Sequence, residues 1–420
     1  MFRELCSNSF GAHTEHAAAK FCIIKHAIPL GLGVCPIPVD DATSKRTGNH
    51  SPWAYPPRCV KPANRPKKGP KYCVYNFEDF RGGEGLSIIA TPEIAVEVID
   101  ALDDATVSPK LRSHPSSLLF PGAERVAPFE IEDVPNKGKG VIATEDFKQW
   151  QTVMVDFPAV IAPMDLFEAV SPEQGRHLIQ NAIERLPVAK KAAILSLAAG
   201  SEGGMVQGIL NTNSFGINFE QNQYIALFPT GSRVNHDCRA NVFWRYSHAS
   251  MTMEFVALQD ISAGDEIAYG YIPLGGIREE RQELLRQWGF NCSCSLCLAP
   301  ASEVAKSDAA RTRIQTIADR LRSAKANKKG KLTRLVSEML HLVDQEGLGP
   351  QLVVWYDLIS RAYLQVDDFE NAELYADLAD QTWKQHGGEF HEGVDDIRAL
   401  REALQARRTE SIGPGIKMKN

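Results

Sequence analysis

Three cysteines stand in the run Cys292-Ser293-Cys294-Ser295-Leu296-Cys297. Such a run can wrap one side of a zinc ion, because structural zinc is held tetrahedrally by four sulfur or nitrogen ligands. Three thiolates leave the set one ligand short. Cys238, in Arg233-Val234-Asn235-His236-Asp237-Cys238, is the candidate fourth, and a metal shared by all four would pin the cysteine run against the Asn-His segment. Two further motifs frame this pair: Gly138-Lys139-Gly140 upstream and Glu266-x-x-Tyr269-Gly270-Tyr271 just before the cysteines. Paired glycines let a backbone come close to a ligand, Asn and His offer donors and acceptors, and a tyrosine hydroxyl can orient a reacting group. Taken singly, each motif has a plain structural explanation. A Gly-x-Gly is usually a hairpin turn, an Asn-His pair usually bonds within the fold, and tyrosines two apart in a strand share one face of a core.

The surrounding chain predicts how these residues are carried. Phe129 to Val134 alternates as a strand, Asn136 to Gly140 reads as a turn, and Val141-Ile142-Ala143 continues as a strand. Thr91-Pro92-Glu93 opens a helix through Leu102. Ser171 caps a helix that begins at Pro172 and runs to about residue 199, before a glycine-rich break at 200–204. Short strands return at 224–228 and 250–256. From 308 to 405 the pattern is nearly uninterrupted helix, with turns near 327–330, 347–350 and 366–368. Within it, Ala362-Tyr363 and Phe369 to Ala376, with Ala372 and Ala379 seven apart, resemble one tetratricopeptide unit, although a packed helical domain explains them as well.

In this fixed order, with the cysteine run behind them, the four motifs resemble the SET-domain protein lysine methyltransferases. The resemblance covers roughly residues 126 to 297 and points to a fungal-type relative of the SET-and-MYND group. That group's second zinc module of clustered cysteines is missing between Val141 and Cys238. The implied fold is α+β: a β-rich SET fold of small curved sheets with a knotted C-terminal segment and a zinc-bound post-SET segment, followed by an all-α tetratricopeptide-like domain. The implied divisions are an irregular N-terminal region to 75, a lead-in at 76–125 and the SET domain at 126–272 with a helical insert at about 163–210. The post-SET segment at 273–299, the helical domain at 300–408 and a tail at 409–420 complete the chain.

By the same resemblance the activity is methyl transfer from S-adenosylmethionine to a lysine of a histone or another protein. Gly138, Lys139, Gly140, Asn235, His236, Trp288 and Phe290 are the implied donor-binding residues. Tyr271 is the implied catalytic tyrosine, with Tyr269 tuning methylation toward mono- or dimethylated product. Asn213 and Phe215 match the lysine-channel segment, Phe215 being equally well read as core. Cys238, Cys292, Cys294 and Cys297 hold structural Zn2+. The chain departs from the family pattern at Val234, Ala240 and Gly270, none of which removes a contacting group. The alternative is a SET fold without catalysis that acts as a zinc-stabilised interaction scaffold through its helical part.

Composition sets the bounds. The 420 residues, 44% hydrophobic and 23% charged, suit a globular protein with a large core. A net charge of −6 argues against a general nucleic-acid binder, whose contact face is basic, and no stretch is long and apolar enough to cross a membrane. A monomer in the nucleus or cytoplasm is the expectation. Five cysteines remain, Cys6, Cys22, Cys35, Cys59 and Cys73; free thiols are the preferred reading, with disulfide pairing left open. Lys61 to Lys71 reads as a basic, proline-stiffened linker.

Overall fold

Alternating and fully apolar runs become strands, and the 3.6-residue pattern becomes helices, in the computed structural model. It describes residues 53–62, 70–81, 83–103, 127–200, 203–219, 222–247, 250–323, 329–387 and 392–412. In chain order the first elements are β1 (Arg58–Val60), β2 (Tyr72–Phe77), β3 (Leu86–Ala90) and α1 (Pro92–Asp103). Then come β4 (Phe129–Val134), β5 (Gly138–Ala143), β6 (Thr152–Asp156) and β7 (Val160–Pro163). Four helices follow, α2 (Leu166–Ala169), α3 (Pro172–Glu184), α4 (Val188–Leu195) and α5 (Met205–Asn213). Strands β8 (Ser214–Phe219), β9 (Asn222–Leu227), β10 (Asn235–His236), β11 (Val242–Ser247), β12 (Thr252–Ala257) and β13 (Glu266–Tyr269) come next. The chain ends in helices α6 (Arg278–Leu285), α7 (Ala301–Arg322), α8 (Lys329–Gln345), α9 (Leu352–Gln365), α10 (Phe369–Gly387) and α11 (Glu392–Ile412).

These elements divide into two units, and the chain passes between them within β6, β11 and β12. The first unit holds a six-stranded sheet in the order β1-β2-β3-β7-β9-β8. Its strands β2 and β3 are almost wholly buried, as strands covered on both faces must be. Val74, Ile89, Val160 and Leu227 of the sheet share a core with Leu178, Ile179 and Ile183 of α3. Ser171 caps α3 by accepting from the Gln174 amide while the Gln174 side chain accepts from the Ser171 amide. The single helix expected from 172 to about 199 is two, because Pro187 stands in extended geometry (ψ 146°) and ends it.

Strand β1 lies inside the stretch read as irregular, and β2 begins at its end. Their register sets Cys59 opposite Cys73, and these two cysteines, read as free thiols, are joined in a disulfide. Side chains directly opposed across antiparallel strands stand close enough to bond. Cys6, Cys22, Cys35 and most of the basic linker lie outside the described residues.

The second unit holds a four-stranded sheet in the order β10-β13-β5-β4, with β10 parallel to β13 and the other pairs antiparallel. The Gly-x-Gly expected to turn the chain instead begins β5. The turn lies just before it, where Asn136 and Gly138 adopt positive φ (63° and 73°) and the Lys137 amide donates to Val134 O. Helices α6 to α11 complete this unit. Their core joins Leu321, Leu332, Met339, Ile359 and Ala372 to Leu285, Leu296, Cys238, Cys292, Cys294 and Cys297. Ala372 and Ala379 are fully buried where α9 and α10 pack side by side.

Candidate active site and metal centre

Sheet order places three of the four motifs side by side. Strand β13 sits between β5, which carries Gly138-Lys139-Gly140, and β10, which is Asn235-His236. Asn235 lies opposite Ala268, and His236 opposite Tyr269. The join is tight. A Cβ at Gly140 would come within 2.5 Å of Val134 Cγ2 and 2.7 Å of Asn235 Nδ2, so only glycine fits. Asn235 Nδ2 donates to Glu266 Oε1 at 3.0 Å and to Lys139 O at 3.3 Å. Asn241 closes the other side, its amide donating to Glu266 O and accepting from the Ala268 amide.

Two residues that the sequence reading gave no role complete this polar join. Lys137 Nζ reaches Glu266 Oε2 at 2.6 Å and Asp237 Oδ2 at 3.9 Å, whereas Lys139 extends to Asp133 at an exposed ion pair. Burial, reinforced by the neighbouring Cys294 sulfur, pushes the Asp237 carboxyl up to about 6. The hidden signal for Lys137 was the turn: with Gly138 as its last residue, the preceding lysine faces β13.

Tyr271 follows β13 directly and is fixed at both ends. Its hydroxyl donates to Val234 O at 2.9 Å, and its amide donates to His236 Nδ1 at 3.1 Å. Around the ring stand Tyr269 (centroids 4.8 Å apart), His236 (5.5 Å), Trp288 (5.7 Å) and Phe290 (6.3 Å). Trp288 and Phe290 are set by a turn at Gly289, which has φ 79°. Burial raises the hydroxyls of Tyr269 and Tyr271 above the ordinary phenol range, so both stay neutral donors. Burial also holds the His236 imidazole down to about 4, leaving it neutral. A cavity of about 200 Å³ opens on Tyr269, lined also by Phe243, Trp244, Gly270 and Gln351. Trp244 carried no motif and was missed for that reason.

Cys238, Cys292, Cys294 and Cys297 are all buried, and their sulfurs lie within 4.8 Å of one another. Cys238 Sγ is 3.6 Å from Cys297 Sγ and 3.9 Å from Cys292 Sγ. Four sulfurs about 2.3 Å from a tetrahedral zinc stand roughly 3.8 Å apart, so the set fits that ion. Gln282 of α6 anchors the cysteine run, donating to Cys292 O and accepting from the Cys292 amide. The chemistry around the sulfurs agrees with thiolates. Arg281 is 1% exposed, and its Nε donates to Cys238 Sγ. A buried guanidinium requires a negative partner, and metal-bound thiolates are one.

Asn213 and Phe215, the implied lysine-channel pair, belong to the other unit. Asn213 Nδ2 donates to Ala198 O and Ile209 O at the end of α5. Phe215 is buried against Phe228 in an edge-to-face pair. Both have structural duties there.

Comparison with known proteins gives a family match and several relatives. The SET domain family matches residues 138–272. Histone-lysine N-methyltransferase set5 of Schizosaccharomyces pombe is 26% identical over 301 residues, covering 69% of this chain and 87% of that protein. Histone-lysine N-methyltransferase Smyd1 of Mus musculus is 31% identical over 105 residues, 21% of each chain. N-lysine methyltransferase SMYD2-A of Danio rerio is 35% identical over 100 residues, 23% of this chain and 22% of that protein. Residues 138–272 thus match the SET domain, and over most of its length the chain is similar to a protein named as a histone-lysine methyltransferase.

Proposed function

We propose that the protein is an S-adenosylmethionine-dependent lysine N-methyltransferase acting on a histone or other protein, with a structural zinc at its four cysteines. One observation carries this reading: a single sheet sets Gly138-Lys139-Gly140, Asn235-His236 and Tyr269 on neighbouring strands, and Tyr271 follows inside an aromatic ring. The donor supplies an electrophilic methyl on a sulfonium. Gly138, Lys139, Gly140, Asn235 and His236 hold it, and Trp288 and Phe290 cover it with aromatic faces, which attract cations. The acceptor lysine must be neutral to attack. An apolar aromatic wall beside a cationic sulfur lowers an ammonium pKa by desolvation and like charge. The cavity at Tyr269 is where this amine enters, and Tyr271 aligns amine and methyl. No nucleophile of the chain takes part. The carboxylates beside the site, Glu266 and Asp237, are engaged with Lys137.

Tyr269 beside the acceptor leaves less room for a bulkier amine, so mono- or dimethylated product is expected over trimethylated. Homologues named for histone lysines make an intracellular protein substrate, nuclear or cytoplasmic, the fitting partner. No helix among the described residues is long and apolar enough to cross a membrane. The protein is expected to act as a monomer. Incubation of proteome extract with isotope-labelled donor, followed by mass spectrometry of modified lysines, tests the reading. Label at mono- and dimethyl-lysine supports it. Absence of both label and calorimetric donor binding leaves the zinc-stabilised scaffold instead.

A further inference from the structure

Two side-chain donors converge on one sulfur. Arg281 Nε donates to Cys238 Sγ at 3.2 Å, and its Nη1 donates to Gly276 O at 2.5 Å, which anchors the guanidinium at the start of α6. His236 Nε2 stands 3.4 Å from the same sulfur. The proton on that ring is assigned by its other nitrogen. A backbone N–H can only donate, so Nδ1 accepts from the Tyr271 amide and Nε2 carries the hydrogen. Cys292, by contrast, takes a backbone donor, the Cys294 amide at 3.5 Å.

We propose that Arg281 and His236 are positioning residues that tie the metal centre to Tyr271: both donate to Cys238 Sγ, and His236 passes the constraint to the Tyr271 amide. The inference rests on the reading of Tyr271 and of the zinc site given above. Its chemistry is direct. Four thiolates around a divalent zinc leave a net charge of about −2, by counting formal charges on an all-cysteine set. N–H donors on a ligand sulfur draw off part of that charge and fix the sulfur lone pair that faces the metal. Hydrogen bonds to a metal ligand from outside orient it in this way, and their loss typically weakens metal binding by about 10–100-fold. Cys238 is the ligand that sits immediately after β10, so it is the one sulfur through which the metal reaches the Asn-His strand. Were Cys238 to turn away, the His236 ring would lose the partner that sets its plane. The Tyr271 amide would then lose its acceptor, and the phenol its aim.

The test uses full-length protein loaded with cobalt(II) or zinc(II), comparing wild type with Arg281→Leu, Arg281→Lys and His236→Asn. His236→Asn keeps an acceptor near the Nδ1 position and removes the donor to sulfur. The thiolate-to-cobalt charge-transfer band is expected to move to lower energy in Arg281→Leu and His236→Asn, because an unbonded sulfur lone pair is easier to ionise. Zinc release to a chelator should quicken by about tenfold or more, with Arg281→Lys intermediate because it keeps the charge and not the fork. The Tyr271 amide signal in nitrogen-15 spectra should shift on metal removal and in Arg281→Leu. In turnover by the Arg281 variants, kcat falls and KM for the donor holds. Should Arg281→Leu fail to fold, Arg281→Lys and His236→Asn carry the same comparison. A charge-transfer band and release rate equal to wild type in the folded variants overturn the coupling while leaving the methyltransferase reading standing. Wild-type protein that binds neither metal overturns the coupling and the metal centre together. Absent methyl transfer with the metal effects intact removes the functional reading alone.

Discussion

At the scale of single residues, Tyr271 has its hydroxyl on Val234 O and its amide on His236, so its phenol points one way. Replacing it with phenylalanine removes one oxygen and little else. The stability change should be about 1 kcal/mol, the worth of one hydrogen bond. Turnover should fall by about a hundredfold or more, the usual effect of deleting a preorganised donor at a reacting centre. Donor affinity by calorimetry should stay within a few-fold. Wild-type turnover in Tyr271→Phe would show that another group aligns the amine. That Tyr271 meets the Asn-His strand was legible in the sequence, because motif order set the two together. The placement of Arg281 was not, since an arginine within a charged helical stretch looks solvent-facing until a sulfur cluster is folded against it.

At the scale of elements, β5 can lie against β13 only because position 140 has no side chain. Gly140→Ala drives a methyl into Val134 and Asn235, and the Asn235 amide is held by Glu266 and cannot simply rotate away. Overpacking of this kind costs about 1–3 kcal/mol. It should also displace Asn235, so donor binding should weaken by about tenfold or more while the folded protein persists. Thermal melting paired with calorimetry reads both effects, and an alanine variant with wild-type affinity would remove Asn235 from the donor site. The elements themselves were mostly readable. Pro92 and the Ser171 cap start α1 and α3 where their residue types require, and the apolar period fixes the C-terminal helices. Pairing was the hidden part. Residues 58 to 60 carry too few side chains to announce a strand, and only their register against β2 reveals that Cys59 faces Cys73. Likewise, period-2 alternation placed β5 after the glycines rather than beginning on them, because glycine contributes nothing to such a pattern.

At the scale of the molecule, the four-cysteine cluster of the second unit is continuous with its helical core. The four cysteines share one apolar cluster with Ile317, Met339 and Ala362. Two further buried charges hold the seam. Arg311, fully buried, pairs with Glu346 at 3.0 Å and donates to Leu274 O, just beyond Tyr271. Removal of a zinc held there would therefore leave four crowded, buried thiols in the middle of a core rather than at its rim. A structural zinc contributes folding free energy outright. With a contribution on the order of several kcal/mol, chelation should lower the melting transition by roughly ten degrees, at about 2–4 °C per kcal/mol for a domain of 150–250 residues. The transition should return when zinc is restored in stoichiometric amount, because binding to the folded state alone stabilises it by mass action. Elemental analysis of the purified protein should give one zinc per chain. A chain that carries no zinc, or that melts at the same temperature with and without chelator, would mean that the four sulfurs meet for packing alone.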